Sequence, residues 1–237
     1  MLLAADVLRL VSGSLQDLEP GMEARWPWGG GEEDSIGLMD FLNAGLRAIA
    51  LQRPDCCAVT ESIRLEPGML QHLPTRRRNG ASKDATGFCE LVRNMGADGE
   101  TPGRAITSVQ PEVLLTWADY AKPCCCVDNF AYDRATNGLV YYVYPPVPDG
   151  RDVYVEATYY VPPRQITDAN QCLGVNDNYA EALVHYILAA VLAGDNEASA
   201  AQGGKAVYHQ QMFQQCMGSK AQVDTVWPKA KSSAGAA

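Results

Sequence analysis

Leu139–Pro146 reads LVYYVYPP and Asp152–Pro163 reads DVYVEATYYVPP. Both are rich in Val and Tyr, which suit a half-buried pleated surface. Each stops at a proline pair, and proline has no N–H to give a strand ladder. Only Val147–Arg151 lies between them, and its Asp149-Gly150 is a turn dipeptide. The two segments are therefore expected to pair as an antiparallel hairpin with a wide loop. Val153, Val155, Ala157, Tyr159 and Val161 share one face of the second strand, while the first strand is apolar on both faces.

Helical patterns stand on either side of this β-rich centre. Leu3, Val7, Leu10 and Val11 recur at helical spacing, as do Met39, Leu42, Leu46 and Ile49. Asp34 or Ser35 can cap the second of these helices, and Pro54 ends it. Beyond Pro163, Asp177 or Asn178 can cap a helix whose Tyr179, Ala182, Leu183, Tyr186, Ile187, Ala190 and Val191 form a broad apolar stripe. Gly194 suits its end, and a further helix opens on small residues at Asn196–Gly204 and closes near Gly218. The expected fold is α+β: a four-segment helical bundle (residues 1–55 and 170–218), an inserted antiparallel β-rich domain (56–169) and an extended C-terminal tail (219–237).

Inside the insert, Val59–Leu65 largely alternates and reads as a strand. Pro74–Arg104 is polar and Gly-rich, with room for a short helix over Phe88–Met95. Pro111, followed by Val113, Leu114 and Trp117, suggests a helix of two or three turns. Cys124–Val127 and Phe130–Asp133 add strand before the turn Thr136-Asn137-Gly138.

A net charge of −9 argues against a protein that coats nucleic acid, which needs a basic surface. It is compatible with a wall past which DNA slides without sticking. No stretch is long and apolar enough to span a bilayer, and Asp6 and Arg9 interrupt the first apolar run as a secretion signal would not. No membrane role and a location in the cytoplasm are expected.

No P-loop, G-x-G-x-x-G, G-x-S-x-G or H-E-x-x-H pattern occurs, so no catalytic, cofactor or metal residue is assigned and no enzyme is expected. The eight cysteines form no C-x-x-C pair, and they read as small apolar packing residues rather than metal or disulfide partners. His72, His185 and His209 read as isolated. Glu32-Glu33-Asp34 precede a helix, where its dipole favours negative charge. Arg76, Arg77 and Arg78 read as a solvated loop tip or as a contact with an acidic neighbour. Trp227-Pro228 lies in a Lys/Ser/Ala/Gly-rich end, where the indole either packs on its own domain or anchors in a partner. Trp26-Pro27-Trp28 is expected to pack on its own bundle.

Leu15–Gly21 (LQDLEPG), Arg25–Trp28 (RWPW), Phe41–Asp55 (FLNAGLRAIALQRPD), Tyr142–Pro148 (YVYPPVP) and the helical pair over 177–218 follow one another as in a known family. From about residue 2 to 218 the chain resembles the head-to-tail adaptor proteins of tailed bacteriophages, also called connector or head-completion proteins. The resemblance implies a virion protein at the head–tail junction, forming a ring of roughly twelve copies under the portal. Its implied partners are the portal protein, a tail or nozzle protein and its own copies, with DNA passing through without specific binding. A tail-tube or fibre-attachment subunit is the alternative reading. In a ring, the two-sided first strand becomes an expected subunit contact through Tyr142 and Tyr144.

Overall fold

The computed structural model describes residues 2–16, 26–29, 36–79, 83–117, 122–133, 138–194 and 200–226, without the side chains of 78–79, 200–202 and 219–226. The chain divides into two units, Met1–Cys56 with Pro163–Ala237, and Cys57–Pro162.

The first unit is helical, with α1 (Ala4–Ser14), α2 (Leu38–Gln52), and the later α5 (Ala180–Gly194) and α6 (Ala200–Val226). Its core gathers Val7, Leu8 and Val11 of α1 with Leu42, Leu46 and Ile49 of α2. Leu183, Ile187 and Val191 of α5, and Phe213 and Met217 of α6, complete it. The helix ends are capped by other parts of the chain. Pro27 and Trp28 offer carbonyls to the N–H groups of Leu38 and Met39, both at 2.9 Å. Asp40 accepts from Gly37 N–H at 3.0 Å, so Gly37 and Asp40 make the cap. Trp28 Nε1 donates to Ser12 Oγ at 2.9 Å, and Trp26 meets Phe41 edge-on. The W-P-W connection thus packs on its own helices, as expected. At α1, Ala4 and Ala5 donate to the carbonyls of Gln171 and Ala169 at 3.0 and 2.7 Å, which ties the return segment to the first turn. Asn43 fixes the same segment from α2. Its amide donates to Ile166 O at 2.9 Å and accepts from Ile166 N–H at 2.7 Å.

Three helix limits differ from expectation, the first being the N-cap of α2, which is Gly37 and not Asp34 or Ser35. Asn176, not Asp177 or Asn178, caps the turn that leads into α5, accepting from Asn178 N–H at 3.0 Å. The helix expected to close near Gly218 runs on to Val226. Part of the expected tail (219–226) is therefore helical. One glycine costs only about 1 kcal/mol against alanine, and no proline follows before Pro228.

The second unit is two four-stranded sheets packed face to face. β1 (Ala58–Arg64), β8 (Tyr154–Tyr160), β3 (Gly87–Met95) and β4 (Pro102–Ala105) form one sheet in that order, all antiparallel. β2 (Gly68–His72), β7 (Val140–Val147), β6 (Asn129–Ala131) and β5 (Thr107–Ser108) form the other, in which β5 and β6 run parallel. The insert is thus not wholly antiparallel. Two short helices, α3 (Arg76–Asn79) and α4 (Pro111–Trp117), complete it. Its core stacks Phe88, Leu91, Val155, Ala157 and Tyr159 of the first sheet against Phe130, Tyr141, Val143 and Val147 of the second. Phe88 and Tyr141 lie ring on ring at 4.7 Å.

The expected hairpin is absent. β7 pairs with β2 and β6, whereas β8 pairs with β1 and β3. The connection after Val147 crosses from sheet to sheet, so the buried faces of β7 and β8 look at each other across the core instead of lying side by side. Pro145-Pro146 also lies inside β7 rather than ending it. The pairing with β2 skips there, from Tyr142 opposite Leu70 to Val147 opposite Gly68. The carbonyls still serve: Tyr144 O accepts from Asp128 N–H at 2.8 Å and Pro146 O from Cys124 N–H at 3.0 Å. Proline lacks only the donor, and the Tyr144–Pro145 bond is cis.

The helix expected over Phe88–Met95 is the strand β3. Its buried residues, Phe88, Leu91 and Asn94, recur every third position because the register shifts between Phe88 and Glu90 and again between Leu91 and Arg93. Each bulge inserts one extra residue, and two of them convert a two-residue period into three. Asn94 then works as Asn43 does. It donates to Arg104 O at 3.0 Å and Val127 O at 2.7 Å, and accepts from Val127 N–H at 2.8 Å. The segment Cys124–Val127 is held by these bonds as a loop rather than as the expected strand.

Candidate interaction surfaces

The outer faces of the two sheets differ in chemistry. On the first sheet Arg93 sits opposite Glu156 and grips it at 2.7 and 3.3 Å, and Thr60 meets Thr158 at 3.0 Å. Those are the pairs of a solvated face. On the second sheet Tyr142 and Tyr144 alternate outward from the buried Tyr141 and Val143. Tyr142 lies opposite Leu70, which is 44 % exposed. The Tyr144 ring is 5.3 Å from that of Trp117, at the end of α4. The buried Leu114 seats α4, and Val113 and Leu115 remain exposed beside it. An apolar, aromatic-rich outer face of this kind is the character of an interaction surface. Tyr142 and Tyr144 are thus on the sheet face that carries exposed apolar residues.

Leu70 was not legible as part of this face, because its strand is inverted. Gln71, the polar neighbour, is the buried one. It accepts from Glu66 N–H at 2.8 Å and donates to the carbonyls of Glu66 and Gly68 at 2.6 and 3.1 Å. That closes the turn between β1 and β2, in which Gly68 takes a φ of 98°.

The arginine run is divided. Arg76 donates its N–H to Asp84 at 2.8 Å and its guanidinium lies 3.4 Å from the same carboxylate. Arg77 is exposed, and the Arg78 side chain lies outside the described residues. Trp227 and Pro228 also lie outside them, as do the acidic Glu32–Asp34.

Titratable groups serve the fold. Burial works against an ionised Glu61, yet hydrogen bonds from Lys83, at 2.6 Å, and from Tyr159 outweigh it and lower its pKa. The Asp98 carboxyl is held at about 2 by the Thr101 hydroxyl and by backbone N–H groups of the turn between β3 and β4. Burial, with Glu66 adding repulsion, raises the Tyr141 hydroxyl, which has no hydrogen-bond partner among the described residues. Cys124 and Cys125 are exposed rather than packed. Among the described residues no three His, Cys, Asp or Glu side chains converge as metal ligands.

None of the three histidines is isolated: His72 Nδ1 lies 3.3 Å from a Glu66 carboxylate oxygen, and the other two meet each other. His185 of α5 and His209 of α6 meet through their Nδ1 atoms at 2.9 Å, so one must donate and the other accept. Burial, the facing His185 and nearby Lys205 all lower the pKa of His209 from 6.5. A base whose pKa is depressed on folding adds stability above its unfolded value, and that stability is lost as pH falls below about 6.5. Thermal unfolding followed by far-UV circular dichroism is expected to show the melting temperature falling from pH 7 to pH 5. His209→Gln should flatten that dependence; a variant with the parental pH profile would refute the assignment.

Two separately cored units, one helical and one a β-sandwich inserted in sequence between its halves, define an α+β protein. The chain belongs to the SU10 adaptor protein family, whose model matches residues 3–234. It is therefore of the class of phage structural adaptors. No curated protein matches it. No helix among the described residues is long and apolar enough to cross a membrane.

Proposed function

We propose that this chain assembles as an oligomeric ring under the portal, joins the phage head to the tail and continues the DNA channel. The outer face of the second sheet is the observation that carries the reading. Leu70, Tyr142, Tyr144 and Trp117 leave an aromatic surface that the unit's own core does not use. Family membership supports a virion role. The charge of −9 suits a passage that DNA must leave without sticking, since each copy adds its negative field to the ring. The partners proposed are the portal protein on one side and a tail or nozzle protein on the other, with Trp227 as an anchor and Arg77 as the basic contact. No catalytic role is assigned. A tail-tube subunit fits less well, because such a protein should be mostly β and this one ends in the long helices α5 and α6.

The test is to mix the purified chain with portal protein and examine the product by sedimentation and negative-stain microscopy. A stoichiometric ring capping the portal is expected. Tyr144→Glu combined with Leu70→Glu should then prevent the tail protein, or the neighbouring copy, from joining. A chain that sediments as a monomer beside bare portal would overturn the reading.

A further inference from the structure

Helix packing alone brings His185 and His209 together, since they lie on different helices and 24 residues apart in sequence. The seam between α5 and α6 is built by their apolar neighbours. Leu183 and Ile187, on either side of His185, are buried in the core of the helical unit, and so is Phe213, one turn after His209. Tyr186 meets Phe213 edge-on at 5.4 Å. These contacts hold the helices against each other, so the spacing of the two imidazoles is set by the packing beneath them. Both side chains are half-buried at the rim of the seam. Their Nδ1 atoms are 2.9 Å apart, with ring centroids at 5.1 Å and planes tilted by 35°. The Tyr208 ring stands against His209 at 5.3 Å.

That spacing serves more than a hydrogen bond. Imidazole nitrogens bind first-row divalent ions at about 2.0–2.1 Å, so two such bonds at a right angle put the nitrogens about 2.9 Å apart, and at the tetrahedral angle about 3.4 Å. The pair therefore has the separation of two neighbouring positions on a tetragonal ion of the Ni²⁺ or Cu²⁺ kind, for which imidazole is a suitable ligand. The proton between the rings is no obstacle. A neutral imidazole carries its one proton on either nitrogen, and a shift to Nε2 frees both Nδ1 lone pairs with no proton lost. Each ring must then turn to aim its lone pair at the ion, about a torsion that is broad for histidine. Lys205 and Glu181, both exposed, are each four residues before one of the histidines, so the pair is bordered by one charge of each sign. The net charge of −9 draws cations to the chain as a whole.

We propose that His185 and His209 form a two-point site for a divalent transition-metal ion of tetragonal preference, which pins α5 to α6. Among the described residues no third His, Cys, Asp or Glu joins them, so water takes the remaining positions. The ion stabilises the helical unit because it binds the folded seam, where the two nitrogens are already placed, and not the unfolded chain, where they are apart. The site lies within one chain and does not depend on the assembly proposed above.

Nickel chloride titrated into the full chain at about pH 7.5, where imidazole is neutral, tests the site. Calorimetry is expected to show one ion bound per chain, more tightly than about 1 mM. The melting temperature, read by far-UV circular dichroism, should rise by at least about 5 °C once the ion exceeds its dissociation constant a hundredfold. His185→Gln and His209→Gln should each weaken binding about a hundredfold, because the remaining ligand then holds the ion alone. Both variants keep all eight cysteines, so an ion held by thiols would survive either change. A second measurement needs no variant: in proton NMR, paramagnetic Ni²⁺ should broaden two of the three imidazoles together, and His72 of the β unit only at higher concentration. No saturable binding below about 1 mM, binding that both Gln variants retain, or broadening of His72 ahead of the pair would each overturn the site.

Discussion

Asn94→Leu is expected to destabilise the β unit by about 3 kcal/mol, because each buried backbone group left without a partner costs about 1–3 kcal/mol. The side chain is buried and bonds to the buried Val127 O and Val127 N–H, and to the part-buried Arg104 O. Leucine keeps nearly the same volume, so the loss measures the hydrogen bonds rather than a cavity. Asn94→Asp supplies an acceptor for Val127 N–H but turns a carboxylate toward two carbonyl oxygens, so it should rescue nothing. Urea unfolding followed by near-UV circular dichroism, which reports the tyrosines packed in this core, is the measurement. A Leu variant within about 0.5 kcal/mol of the parent, the range of an ordinary surface change, would show that water takes over the bonds. Asn43→Leu poses the same question in the helical unit, where the amide bridges α2 to both backbone groups of Ile166.

These asparagines also show where sequence reading works and where it stops. The helices were legible because Leu42, Leu46 and Ile49 repeat at the spacing that one buried face demands, and all three are buried. The β unit was legible as β-rich from its Val/Tyr strands, but its topology was not. The alternation in β7 and β8 says that each has a buried face. It is silent on whether the two faces lie side by side in one sheet or opposed across a core. Local turn chemistry at Asp149-Gly150 favoured the first, and the sandwich takes the second, where Tyr141 and Val143 meet the core that Ala157 and Tyr159 share. In β3 two bulges imposed a three-residue period that imitates a helix. In β2 the buried Gln71 and exposed Leu70 reverse the usual order, because the tight turn before them needs Gln71 for its own backbone.

The exposed apolar face of the second sheet was partly legible for a related reason. Tyr142 and Tyr144 could be picked from a strand apolar on both faces, a local property. Trp117 reaches Tyr144 only through the fold, and so does the meeting of His185 with His209, 24 residues apart in sequence.

Gly45→Leu carries the second large effect expected in this protein. Gly45 sits in the middle of α2, where glycine is the poorest helix former after proline. Its place is explained by α5. A β-carbon there would lie 3.0 Å from Tyr186 Cδ1, 3.2 Å from Leu183 Cδ2 and 3.4 Å from Tyr186 Cγ. Alanine gains about 1 kcal/mol of helix propensity and loses a similar amount in pushing the ring aside. Cδ1 and Cγ are at the base of the tyrosine ring, so swinging the tip does not relieve them. Gly45→Ala should therefore stay within about 1 kcal/mol of the parent, within the ordinary range of single substitutions. Leucine has no such escape. Its branch must displace Leu183, which is fully buried, or force α2 from α5, and overpacking of this kind costs about 3 kcal/mol. Urea unfolding monitored by the helical signal at 222 nm should place the two variants in that order, with the Ala midpoint near the parent and the Leu midpoint well below it. If Leu is tolerated as well as Ala, the helices are not held at glycine distance, and the Phe41–Asp55 stretch owes its glycine to something other than the approach of α5.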